Sequence, residues 1–374
     1  MLNIIGRRLL YLVPVLFVVT FGTSLLLDLV PGDPVAAALG DGITPESYER
    51  ARVELGLDRG VVERYLDWLG DAVTGDFGRS LIQPGIEVSD LIKQALPITL
   101  QLAVMAAFIA LVIAIPMGVS SAHREGSRFD RVNGALAAAI ISVPPFLAAL
   151  ILIFLFVFHE GIPRYLVLAG GLAVVATQVG AGVRVARRPR GSFPTWRLVV
   201  ALVVLAVTVA LFVAWPSFGR IGFNRLTSDA GLRENLRTAF LPALTLALVE
   251  LAVLSRLLRT DMTAVLQEDY ISAARAKGMP MQRVLYRDAL RPASFSLITL
   301  AGVSLGRLIG GTVVIEQVFA INGMGRTIVG NITAHDFPVV QAGVLVIATA
   351  YVIINALVDI SYAFLDPRIR RGRA

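Results

Sequence analysis

With 374 residues, 56% of them hydrophobic, and a mean hydropathy of +0.74, the chain is too apolar for a water-soluble domain that hides its core. Zero cysteines exclude a disulfide scaffold, thiolate metal ligands and thiol nucleophiles. The formal charge of +7 does not mark a nucleic-acid surface, because the arginines cluster beside apolar runs, the pattern of inner-side loops of a membrane protein.

Apolar stretches near 20 residues can cross a hydrocarbon layer about 30 Å thick as helices. Eight are predicted, giving an all-α integral membrane protein: Leu9–Leu29, Ile98–Ser120, Val132–Phe158, Tyr165–Val183, Leu198–Trp215, Phe240–Leu258, Ala293–Ile315 and Val339–Leu365. The first follows Arg7 and Arg8, is too long for a signal-peptide core and has no small-x-small cleavage site after it, so it reads as an anchor with a cytoplasmic N-terminus. From Pro31 to Lys93 the chain leaves the membrane, and its acidic residues, from Asp33 to Asp90, outnumber the basic ones. Thr44 as N-cap with Pro45 behind it and Gly56 beyond marks one short helix, and Val61, Tyr65, Trp68 and Leu69 form the apolar face of another. This segment is expected to pack on itself or to serve as a landing platform for an extracellular protein.

The loop His123–Arg131 is short and basic, hence cytoplasmic, and His123 is expected to be solvated. Between the fourth and fifth spans lie Arg184, Arg187, Arg188, Arg190 and Arg197 with no acid, an inner-side loop suited to anionic lipid headgroups. Glu250 and Arg307 sit inside spans, at depths of about 14 and 22 Å from the cytoplasmic ends at about 1.5 Å per residue. Each costs about 2.5–3.5 kcal/mol in lipid, so both should face protein or water, and they are expected to pair beside a translocation path. Gly302, Gly306 and Gly310 recur every fourth residue on the helix of Arg307, a face that lets another helix approach within a bundle or between subunits. Arg368, Arg370, Arg371 and Arg373 place the C-terminus in the cytoplasm.

Most informative is the stretch between the sixth and seventh spans. Leu266, Tyr270, Ala273, Ala274 and Lys277 fall at i, i+4, i+7, i+8 and i+11, one side of a short helix with small side chains in its middle. Gly278 suits a left-handed C-terminal cap, and Pro280 stops the helix.

Ala273-Ala274, then Gly278, then Asp288-Ala289-Leu290 resemble the EAA loop of ABC importer membrane subunits. Ser272 stands where that loop carries Glu, and Arg291 where it carries Pro, with Pro292 following. These departures, with the Ala-Arg-Ala-Lys-Gly core at Ala274–Gly278, resemble the dipeptide and oligopeptide permeases. So do Pro31-Gly32-Asp33-Pro34, Leu55-Gly56-Leu57, Gly75–Ser80, Glu316, Asn322–Arg326 and Asp336-Phe337-Pro338. The resemblance implies a type I importer transmembrane domain of six core helices, into which the hairpin at about 164–217 is inserted. It implies residues 1–95 as an N-terminal helix plus extracellular segment, 96–366 as the transmembrane domain and 367–374 as a basic tail. In that family the short helix, here carried by Leu266, Tyr270, Ala273, Ala274, Ala276, Lys277 and Gly278, docks into a groove of the ATP-hydrolysing subunit.

The implied partners are a second homologous permease, two ATP-binding subunits, an extracellular substrate-binding protein and the bilayer, with no nucleic acid. ATP and magnesium are expected on the partner subunits and no cofactor in this chain, which has no Gly-x-x-x-x-Gly-Lys-Ser/Thr loop. Two rival readings stay open. An ion-coupled carrier needs coupling carboxylates near the midplane of two repeats, and Glu250 is the one such acid. An intramembrane hydrolase needs paired catalytic groups at membrane depth, whereas His123, His159 and His335 all fall in loops.

Overall fold

A computed structural model describes the backbone of residues 2–29, 34–39, 44–54, 56–83, 85–186, 195–213, 215 and 231–365. Side chains are described over the same residues except 2–12, 27–28, 34, 37–38, 54, 184–186, 196 and 359–365. Pro31-Gly32-Asp33, the arginine loop at Arg187–Arg190 and the basic tail from Asp366 lie outside the described residues.

Every described element is helical, apart from one isolated antiparallel bridge between Arg79 and Glu87. The N-terminal part comprises α1 (Leu2–Leu29), α2 (Pro34–Leu39), α3 (Pro45–Glu54) and α4 (Val61–Thr74). Then follow α5 (Val88–His123), α6 (Arg128–Ser142), α7 (Pro145–Ile153) with a wider turn over Phe154–Phe158, α8 (Gly161–Ala186) and α9 (Thr195–Val213). The last third holds α10 (Gly231–Val265), α11 (Asp269–Ala276), α12 (Met281–Arg283), a wide-turn segment Val284–Ala289, α13 (Leu290–Val318), α14 (Met324–Thr333) and α15 (Phe337–Leu365).

Among the described residues five stretches are long and apolar enough to cross a membrane alone: Val88–His123, Gly161–Val183, Gly231–Val265, Met281–Val318 and Phe337–Val358. Arg128–Ser142 and Pro145–Phe158 make a sixth if taken together. The described apolar parts of α1 and α9, Val13–Leu26 and Arg197–Val213, are shorter, so the described residues alone do not supply the expected eight. The third predicted span is not continuous. Val143 is extended (φ −88, ψ 123), as a residue before proline prefers, and Pro145 opens α7 at a position whose missing N–H costs nothing. Conversely, α5 begins ten residues before its predicted start. Polar Ser89, Asp90 and Lys93 mask that extension in hydropathy, yet Val88, Ile92 and Ala95 form one buried face against Met324, Val339 and Ala342.

By its internal packing the chain divides into two units, Met1–Phe146 with Pro242–Ala374, and Leu147–Leu241. In the first, α1 packs on α4 and α15, and α13 packs on α5, α14 and α15. Tyr65 of α4 is buried between Phe17 and Phe21, its hydroxyl 2.8 Å from Thr20 Oγ1, while Gln341 Nε2 donates to Ser24 Oγ at 2.7 Å. Two fully buried carboxylates organise the same region. Glu316 accepts from Thr99 Oγ1 (2.7 Å) and from the Arg326 N–H (3.0 Å), and Thr99 Oγ1 in turn accepts from the Met324 N–H (2.8 Å). A side chain of α13 thereby caps the N-terminus of α14, where negative charge is favoured. Asp336 accepts from the Leu81 N–H at 3.1 Å and from the Ser80 hydroxyl, fixing the Gly75–Ser80 segment to the start of α15.

The second unit contains α8 and α9 packed antiparallel. Arg164 Nε donates to the Phe212 carbonyl at 2.9 Å with its guanidinium 4.2 Å over the Phe212 ring. Gly171 meets Thr208 so closely that a Cβ would lie 2.1 Å from Oγ1.

Of the predicted glycine stripe, Gly302 and Gly306 bring α13 against α15. A Cβ at Gly302 would lie 2.5 Å from both γ-carbons of Val358, and one at Gly306 3.3 Å from Tyr351 and Asn355. Gly310 meets nothing within 4 Å and is exposed, so the stripe packs within the chain at two of its three positions. Gly302→Ala is therefore expected to destabilise the detergent-solubilised protein by about 1–3 kcal/mol through overpacking. Adding Val358→Ala should recover part of the lost thermal midpoint; no recovery would contradict this contact.

Candidate functional site

Two places gather residues singled out by sequence, and the structure adds a third. The first is α11. Val265 ends α10, and Leu266, Gln267 and Glu268 make a turn whose N–H groups bond Met262, Ala264 and Val265 carbonyls (2.9, 3.1 and 3.1 Å). The predicted helix through Leu266 is thus corrected: Leu266 belongs to the turn, and the new helix starts at Asp269, whose carboxylate suits the positive end of the helix dipole. Glu268 is extended, and its carbonyl accepts from Ile271 and Ser272 (3.1 and 3.2 Å). At the other end Gly278 is left-handed (φ +74); its N–H reaches the Arg275 carbonyl (2.9 Å) and the Met279 N–H the Ala274 carbonyl (3.3 Å). These paired bonds end the helix as glycine at that position permits.

Ile271 and Ala274 are buried, and α11 packs on the Val284–Ala289 segment, where Val284, Leu285 and Ala289 are buried as well. Ala274 therefore faces its own chain. Ser272, Ala273, Ala276, Lys277 and Gly278 are exposed, so the small outward surface consists of Ala273 and Ala276 beside Ser272 and Lys277. Tyr270 is half exposed, and its hydroxyl donates to the Asp288 carbonyl at 3.4 Å. Partial burial, with the Glu268 and Asp288 carboxylates nearby, raises its pKa above the ordinary tyrosine value, which keeps it a neutral donor.

The second place is the pair of charges at membrane depth. Arg307 Nη2 donates to both carboxylate oxygens of Glu250 (2.9 and 3.0 Å) and to Ser304 Oγ (3.1 Å). The Glu250 side chain is 6% exposed and that of Arg307 59%. Arg307, Gly306 and Gly310 line a cavity of about 380 Å³ with Val19, Ile328 and Tyr351.

The third was not singled out by sequence. Arg259, near the end of α10, donates through Nε and Nη2 to the two oxygens of Asp130 (2.5 and 2.7 Å), and the Gly126 N–H adds a bond at 3.0 Å. Ser127 Oγ caps α6 by accepting from the Asp130 N–H at 3.2 Å, and Asn133 Nδ2 donates to Ser121 Oγ at 2.7 Å. The His123–Arg131 loop is thus fastened to the stem that carries α11. The one available signal was Asp130 among basic residues at a helix start.

Asp130→Asn and Arg259→Gln are each expected to cost about 1–3 kcal/mol, the pair being only partly shielded from water. In a double-mutant cycle on thermal midpoints the combined loss should fall well short of the sum; additive losses would contradict a working pair.

With that geometry in place, comparison with known proteins is specific. The sequence pattern of the binding-protein-dependent transport system inner membrane components matches residues 114–371, and that of the N-terminal part of binding-protein-dependent transport membrane components matches residues 1–103. A predicted peptide transport system permease protein of Brucella abortus (strain 2308) is 37% identical over 372 residues, covering 99% of both chains. The di/tripeptide transport system permease protein of Pseudomonas aeruginosa is 33% identical over 377 residues, and the dipeptide transport system permease protein of Escherichia coli K12 is 32% identical over 376, each covering 100% of both chains.

Proposed function

The chain belongs to the family of binding-protein-dependent transport system inner membrane components, and from that membership we propose how its parts work. It is a multi-pass inner-membrane permease subunit of a peptide ABC importer, a transport component and not a catalyst. The observation that carries this reading is the match over nearly the whole chain to permeases named for peptides, dipeptides and tripeptides.

The finer assignment is our own. The chain pairs with a second homologous permease, two ATP-binding subunits and an extracellular substrate-binding protein. ATP and magnesium reside on the ATP-binding subunits, and this chain carries no cofactor. Six core helices and the inserted hairpin at about 164–217 make eight spans, with both termini in the cytoplasm. Residues 1–95 form the anchor and extracellular segment, 96–366 the transmembrane domain and 367–374 the tail.

In this scheme α11 is the coupling helix. Ala273, Ala276 and Lys277 form the surface that meets the ATPase, Tyr270 and Gly278 fix its ends, and Leu266 and Ala274 hold it on its stem. Support comes from its shape: eight residues, small and exposed on one side, fastened on the other by Ile271 and Ala274. Closure of the ATPase pair then moves α10 and α13 as rigid rods and opens the path alternately to each side. Glu250 and Arg307 line that path. An ion-coupled carrier loses appeal because Glu250, its candidate coupling acid, is held in an ion pair.

Two outcomes test this. Uptake of a labelled dipeptide by vesicles holding the complete importer should require ATP and survive a protonophore; the reverse result would favour the ion-coupled carrier. Ala276→Trp or Ala273→Trp should cost about 1.4 kcal/mol or more of docking energy, hence at least about tenfold in co-purified ATPase, with the permease still folded. Ala274→Trp should instead lower the thermal midpoint, since that side chain lies inside.

A further inference from the structure

We propose that Arg307 is a carboxylate-binding residue of the path, which receives the C-terminal carboxylate of the passing peptide and makes a free carboxylate a determinant of transport. This rests on the reading of the chain as a peptide permease.

Three observations converge on it. First, the charge pair is lopsided: Glu250 is enclosed at 6% exposure, whereas the Arg307 side chain is 59% exposed. The buried acid anchors the base, and the base faces outward. An Arg left against lipid within a span is costly, so that outward side is suited to water or a polar solute. Second, all hydrogen bonds of the guanidinium recorded among the described residues run through Nη2, to Glu250 and Ser304. Its Nη1 and Nε N–H groups stay available while the plane is already held, so little rotamer entropy is left to lose on binding. Third, the next turn on the same face has no side chains. Gly310 and Gly311, three and four residues on, are exposed, and a Cβ at either meets nothing within 4 Å. Val303 and Val314 continue that exposed face on either side. A peptide backbone can therefore lie close to the helix while its terminal carboxylate meets the guanidinium.

A Lys would lack the flat guanidinium that Glu250 and Ser304 hold through Nη2, which leaves Nη1 and Nε as separate, already oriented single donors. A single positive charge tied to a buried partner also binds its ligand weakly, which suits a station that cargo must leave. The counter-charge of Glu250 keeps Arg307 from being a trap.

The test uses the complete importer in vesicles with its binding protein loaded to equal occupancy by a labelled dipeptide or by the same dipeptide as its C-terminal amide. Arg307→Gln is compared with the unaltered chain. Because Arg307→Gln alone strands a buried carboxylate, Glu250→Gln/Arg307→Gln is measured beside it, with assembly of the complex checked for both. The expected result is a loss of about tenfold or more in uptake of the acid, as for a charge-assisted hydrogen bond, with amide uptake within about twofold of the unaltered importer. Equal losses for acid and amide in the doubly neutralised variant would overturn the assignment and leave Arg307 a packing or subunit-contact residue. Failure of the unaltered importer to move either compound would instead count against the peptide reading itself.

Discussion

A carboxylate taken out of water must find its partner inside the protein, and most of this architecture follows from how four of them do so. Asp130 meets Arg259, Glu250 meets Arg307, Glu316 meets Thr99 with the N–H of Arg326, and Asp336 meets Ser80 with the N–H of Leu81. Each joins segments far apart in sequence. Apolar contact alone gives little preference for one helix neighbour over another when the solvent is itself apolar. A buried acid with one set of donors does give that preference, because every alternative register leaves it stranded at a cost of several kcal/mol.

These four contacts also divide the work along the chain. Glu316 and Asp336 gather α5, α13, α14, α15 and the Gly75–Ser80 segment into one rigid region. Glu250 and Arg307 join α10 to α13 at mid-length. Asp130 and Arg259 lock the end of α10 just before the turn into α11. In the proposed role of α11, a push on it has a stiff route through Arg259 to α6 and along the continuous α10. For the coupling role proposed for α11, rigidity matters as much as shape, since an element that folds away under load transmits nothing.

Much of this was legible in the sequence, for reasons that differ by residue. Gly278 and Pro280 announce the end of α11 because one accepts a left-handed backbone and the other has no N–H to offer. Glu250 and Arg307 announce each other because two charges within spans need partners. The break at Leu266 was not legible, as Leu266-Gln267-Glu268 contains neither proline nor glycine and continues the helical period on either side. Ala274 was placed on the outward face by periodicity counted from Leu266, and the phase slipped with that turn. Periodicity could not find Asp130 and Arg259, which are 129 residues apart. The break at Val143 was legible, in Pro144-Pro145, but the apolar run around it masked the signal.

The decisive measurement concerns which side of α11 bears on another protein, and from which side of the bilayer. The chain has no cysteine, so Lys277→Cys supplies a single thiol for an impermeant maleimide. The account predicts labelling in inside-out vesicles, little in intact cells, and protection when the ATP-hydrolysing subunits are bound. Labelling from the outer face, or labelling indifferent to the presence of those subunits, would contradict it.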